Sequence, residues 1–196
     1  QRRTHFRCTA DLTRGPLTSP PLPAGIPASF SVPAFLQPPA VLPKVRDIYE
    51  NWLFHGPIFQ GISTVDAMGS NGITGTLRIK GAAECLKDAG GNEWVVGPVL
   101  LDSAMQLAGV WARHFLDITV LPAGLKSLNR LSPVIGREFR AIVSIPKEIE
   151  HGEMRCDLAV YDEHGAMVIL VEGLGGIASK SFNRLASQPK ALRTVR

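Results

Sequence analysis

Residues 47–180 predict an α+β fold in which one curved antiparallel sheet wraps a single long helix, and three observations carry that prediction. Residues 99–116 have the length of a helix and place apolar side chains on nearly every side of it, so protein must surround them. Two alternating segments precede this stretch and four follow, each bounded by turn residues. The chain has 196 residues, 45% hydrophobic and only 19% charged, which suits one globular core and excludes wholesale disorder.

The elements follow in chain order. Residues 5–12 alternate like a short strand, with Phe6, Cys8, Ala10 and Leu12 on one face. Nine of the fifteen prolines then fall between Pro16 and Pro43. Each fixes φ and removes a backbone donor, so this stretch reads as an extended linker, able to lie against a surface through Ile26, Phe30, Phe35 and Leu36. Residues 47–53 predict a short helix, and residues 58–67 and 72–79 two strands of a hairpin turning at Met68-Gly69-Ser70-Asn71. After the long helix, strands are expected at 124–131, 139–145, 154–161 and 166–178. A helix enclosed by such a sheet is the hot-dog arrangement. The expected division is a strand remnant of a preceding hot dog at 1–13, a Pro-rich linker at 14–46, the hot dog at 47–180 and a basic tail or linker at 181–196.

Several function classes are disfavoured. The net charge of +4 is scattered rather than interleaved with aromatics, which argues against nucleic acid. The stretch 98–116 is broken by Asp102, Gln106, Arg113 and His114, so no membrane span is expected. Cys8, Cys85 and Cys156 are odd in number and widely spaced, which disfavours disulfides and a cysteine-based metal site and makes a reducing cytoplasm the default location. The N-terminus has neither a starting Met nor an apolar leader, and reads as an internal cut in a longer protein.

The helix carries one polar stripe. Asp102 and Gln106 are four residues apart and share a face, continued by Gly109 and Arg113. An Asp among apolar neighbours is expected to hold a proton more tightly and so to serve as an acid; equally, an Asp in a first helical turn is favoured by the helix dipole with no chemistry implied.

Three runs of residues add to this pattern: Leu53-Phe54-His55-Gly56-Pro57-Ile58-Phe59, then Pro98-Val99-Leu100-Leu101-Asp102-Ser103-Ala104-Met105-Gln106, then Leu121-Pro122-Ala123-Gly124. In order and spacing they resemble the C-terminal half of the dehydratase domains of polyketide and polyunsaturated-fatty-acid synthases. The resemblance covers about residues 48–178. It implies a catalytic acid at Asp102 with Gln106 as its partner, a substrate channel drawn from His55, Gly56, Pro57, Phe59, Leu121 and Pro122, and contacts from Lys126 and Arg130 to a carrier protein or its phosphopantetheine. It further implies that no metal or cofactor is bound, that the substrate rides on the phosphopantetheine of an acyl carrier protein, and that the partners are that protein, an N-terminal hot-dog half, neighbouring synthase domains and a second copy of the chain. The sequence departs from the family pattern at His55 (usually Tyr), Gly97 (often His) and Ser127 (usually Arg), and has no H-x-x-x-G-x-x-x-x-P motif for the catalytic histidine of the other half. The implied function is therefore half of a 3-hydroxyacyl-carrier dehydratase, inactive alone; a decayed, non-catalytic scaffold and a hot-dog thioesterase are the alternatives.

Overall fold

A computed structural model of the protein describes residues 7–11, 20–33, 36, 41–87, 94–145 and 152–187. Among these residues seven strands form one antiparallel sheet: β1 (Ile62–Gly69), β2 (Gly72–Arg78), β3 (Thr119–Gly124), β4 (Ser127–Arg130), β5 (Glu138–Ser144), β6 (Glu153–Tyr161) and β7 (Met167–Ser179). Their spatial order is β1-β2-β5-β6-β7-β3, with β4 sharing the outer edge of β7 with β3. Among the described residues four α-helices accompany them: α1 (Val45–Asp47), continued by a π-helical turn at Ile48–Trp52, then α2 (Ala82–Cys85), α3 (Pro98–Leu116) and α4 (Arg184–Ser187). The chain adopts the hot-dog fold that its residue pattern predicts, with α3 as the enclosed helix.

Period-two alternation builds the inner face. Phe139, Ala141 and Val143 of β5 and Met154, Cys156, Leu158 and Val160 of β6 turn toward α3, where Leu100, Ala104, Leu107 and Val110 are fully or almost fully buried. β7 carries Gly173 at a positive φ of 59°, a left-handed conformation that costs glycine little. Across from it the β6–β7 register slips between Cys156 and Leu158, and the Gly173 N–H donates to Asp157 Oδ1 at 2.8 Å. Gly176 admits β3 closely: a Cβ there would run into Val120. α3 starts with Pro98 at its first position and ends at Asp117, whose φ of 51° places it in the left-handed region used to stop helices.

The structure refines the sequence reading in five places. Residues 7–11 are exposed and form no strand among the described residues; residues 5, 6 and 12 of that prediction lie outside them. The proline-rich segment lies against the sheet where it is described, as its apolar residues led one to expect. Ile26 and Leu36 are buried, and Phe30 stacks edge-on against Tyr161 at 5.6 Å; Phe35 lies outside the described residues. The described part of the tail, residues 181–187, packs on the domain: Asn183 bonds Thr119, and Ala186 is buried. Finally, Pro57–Phe59 forms a 3-10 turn, so β1 begins at Ile62, and residues 119–124 form an unforeseen edge strand. Pro122 is tolerated there because an edge strand does not require every N–H.

Candidate active site

The site begins with a three-membered relay of hydrogen bonds onto α3. The backbone N–H of Ile62 donates to Tyr49 Oη at 2.8 Å, and the Tyr49 hydroxyl donates to Gln106 Oε1, also at 2.8 Å. With its carbonyl thus occupied, the Gln106 amide nitrogen donates both to the Phe59 carbonyl at 2.7 Å and to Asp102 Oδ2 at 2.6 Å. Both donors of the amide and one lone pair of its carbonyl are engaged, so its orientation is fixed by its partners and not by its own preference. Burial holds the Tyr49 phenol well above its ordinary range, and the nearby Asp102 charge pushes the same way; the hydroxyl stays a donor.

His55 completes the cluster from the chain segment preceding the 3-10 turn. Its Nε2 lies 3.5 Å from Asp102 Oδ2, and its ring stacks on Phe54 with centroids 4.6 Å apart. The Asp102 and His55 side chains retain 29% and 17% exposure, so both are reachable. The approach of the first strand to α3 depends on Gly61: a Cβ at that position would fall on Ser103 Oγ.

Beside this cluster runs a cavity of about 170 Å³. Asp102, Gln106, Gly109 and Arg113 line one wall, so the stripe visible in the sequence is its floor. The remaining walls are mostly apolar, from Trp52, Leu53 and Phe54 on one side and from Val120, Met154 and Leu174 on the sheet. Cys156 also lines it, but burial pushes its thiol up to about 12, which keeps it protonated and poorly nucleophilic. Among the described residues no group of His, Cys, Asp or Glu is arranged to hold a metal ion, and no helix is long and apolar enough to cross a membrane.

The structure brings together Asp102, Gln106 and His55, with Phe59 contributing its carbonyl and Pro122 a place on the cavity wall. Leu121 does not line the cavity, because alternation along β3 turns it away from the side occupied by Val120 and Pro122. Gly56 and Pro57 shape the turn instead: the Gly56 carbonyl accepts from the Phe59 N–H at 2.9 Å. Lys126 and Arg130 sit outside the cavity. Lys126 is 3.7 Å from Glu172, and Arg130 reaches the Val95 carbonyl at 3.3 Å. At the start of α3, the Leu101 N–H is taken by the Gly97 carbonyl at 2.9 Å and is not free for a substrate oxygen. Tyr49 was not foreseen; it lies 57 residues from Gln106, and no local spacing connects the two.

The family model for the "Polyketide synthase dehydratase N-terminal domain" matches residues 29–186. No curated protein matches the chain significantly by sequence. Among solved structures, the chain is similar to the dehydratase domain from the CurK module of curacin polyketide synthase (23% identity, 74% of this chain and 50% of that one, TM-score 0.59). It is also similar to the dehydratase domain from the CurJ module (14%, 72% and 48%, 0.57) and to that of RzxB from Pseudomonas fluorescens (16%, 68% and 48%, 0.55). These likenesses are in fold, and the chain spans about half the length of each domain. Matched by the family model over most of its length, the chain belongs to the polyketide synthase dehydratase family.

Proposed function

We propose that this chain is the Asp-bearing, C-terminal hot-dog half of a 3-hydroxyacyl-[acyl carrier protein] dehydratase domain in a multidomain polyketide or polyunsaturated-fatty-acid synthase. The observation that carries the reading is the Tyr49–Gln106–Asp102 relay at the edge of an apolar cavity, with His55 beside the carboxyl. Eliminating water from a 3-hydroxyacyl thioester removes a proton from the α-carbon and delivers one to the departing β-hydroxyl, leaving a carbon–carbon double bond. Asp102 gives the proton to the hydroxyl. Gln106 and His55 hold its carboxyl, and the apolar walls take the acyl chain. The α-proton goes to a histidine on the other half. An assignment to the C-terminal half, although the matching family model is described as N-terminal, is supported by the D-x-x-x-Q pattern on α3 and by the lack of an H-x-x-x-G-x-x-x-x-P motif in this sequence. Solved structures of the CurK dehydratase include an inactive Asp→Asn mutant and an inactive His→Phe mutant, and this chain supplies a counterpart only for the first.

The substrate arrives on the phosphopantetheine of an acyl carrier protein, with Lys126 and Arg130 as its basic contacts, and no cofactor takes part. The other hot-dog half, neighbouring domains and a second copy of the chain are the structural partners, in the cytoplasm. Incubating the 196-residue chain with a 3-hydroxyacyl pantetheine thioester is expected to yield no enoyl product, whereas a domain completed by the His-bearing half yields it. Turnover by the chain alone at a comparable rate would overturn the division of labour and point to His55 as a base. A non-catalytic scaffold, suggested by the departures at His55, Gly97 and Ser127, would leave the completed domain inactive as well.

A further inference from the structure

The cavity has a second polar feature, remote from the Asp102 cluster. Arg113 lies three turns further along α3 on the same face, about 16 Å along the helix axis, and lines the same cavity. Its side chain is only 12% exposed. Among the described residues, Nε and Nη1 are buried without a hydrogen-bond partner, although Nη1 lies 3.0 Å from Asp117 Oδ1 as an ion pair. That carboxylate is itself shared: Lys180 Nζ approaches Oδ2 at 3.1 Å, and the Asn183 amide donates to Oδ1 at 3.3 Å. One exposed carboxylate serving two cations leaves the guanidinium under-neutralised and under-bonded, among apolar walls. A cation kept in that condition favours any oxygen acceptor that reaches it.

Resting on the dehydratase reading above, we propose that Arg113 is a specificity-determining anchor for the far end of the acyl chain, selecting chains that carry an oxygen acceptor, a carbonyl or a carboxylate, several carbons beyond the hydroxyl that Asp102 protonates. A purely alkyl chain would press methylenes against the guanidinium and leave it unsolvated. An oxygen at that depth gives it the acceptor the protein withholds. A site built around a buried polar group discriminates against analogues lacking its partner more strongly than an apolar pocket discriminates by size.

The test uses the whole 196-residue chain and three N-acetylcysteamine thioesters: 3-hydroxyoctanoyl, its 7-oxo counterpart, and the corresponding chain ending in a carboxylate. The set is repeated with chains two and four carbons longer. Calorimetric titration is expected to show the oxygenated thioesters binding about tenfold more tightly than the alkyl one at one or more lengths, with Arg113→Met erasing the difference and Arg113→Lys restoring part of it. In parallel, the Arg113 Nε–H resonance is expected to shift with the oxygenated ligands and not with the alkyl ligand. That readout uses the unsubstituted protein and does not depend on any variant folding. Equal binding of alkyl and oxygenated chains at every length, a preference that survives in Arg113→Met, or an unmoved Nε–H resonance would overturn the anchor while leaving the dehydratase reading intact. Failure of every thioester to bind would instead remove the reading on which the anchor rests.

Discussion

At the scale of single residues, the site is governed by where protons are kept. The two tyrosines of the chain are both held in the phenol form by burial, Tyr49 beneath the active cluster and Tyr161 beneath the proline-rich arm. In the unfolded chain they ionise near the ordinary value of 10.0. Because the native values are raised, the unfolded state binds fewer protons above that pH, and stability falls as pH rises beyond about 10. An alkaline absorbance titration is therefore expected to show no tyrosinate step while the protein is folded, then both tyrosines ionising together with unfolding. A step of one tyrosine in the native baseline near pH 10 would show that one of the two sites is open to water. Asp102 and Gln106 were legible in the sequence because their partnership is local, one helical turn apart. Tyr49 was not, because its role comes from how the π-helical turn at Ile48–Trp52 is laid over α3.

Among the elements, the proline-rich arm bears out the expectation that its apolar residues let it lie against a surface. Its prolines lack N–H groups and are fixed in φ, so among the described residues it meets the sheet's backbone only at the isolated Ser29–Ala166 bridge, where the Phe30 N–H donates to the Gly165 carbonyl at 2.9 Å, and it lies across the outer face of the β5–β6–β7 centre. Ile26 packs there with Ile142, Ala159, Tyr161 and Leu170. The Tyr161 hydroxyl donates to the Pro27 carbonyl at 2.6 Å, the Ser144 hydroxyl to the Ala24 carbonyl at 3.0 Å, and Arg140 stands over the Phe30 ring at 4.6 Å. The signal was present in the unbroken apolar run Leu158-Ala159-Val160-Tyr161: a strand with one wet face alternates, and one covered on both faces does not. What covers the second face is a long-range fact that composition alone does not give. Ile26→Ala is expected to destabilise the protein by about 2–5 kcal/mol in denaturant unfolding, comparable to a truncation in the main core. A change below about 0.5 kcal/mol would mean that the arm is a passive spacer.

For the molecule as a whole, one helix sets the register of everything functional. The sheet curls around α3, its apolar sides fill the core, and the single polar stripe left over becomes the floor of the cavity. The fold class was readable because an all-round apolar helix has few ways to be buried; the placement of β3, with its proline, was not, because β3 pairs with β7 where Gly176 leaves room for Val120, a fit between distant segments. The central claim is that Asp102 is the acid of a dehydration whose base lies on another half. The most direct measurement is the rate of enoyl thioester formation from a 3-hydroxyacyl pantetheine thioester by the completed domain, native against Asp102→Asn, with equal folding verified by thermal unfolding. The expected result is a rate at least about a hundredfold lower in Asp102→Asn, the range lost when a general acid is removed; a variant that keeps the native rate would contradict the account.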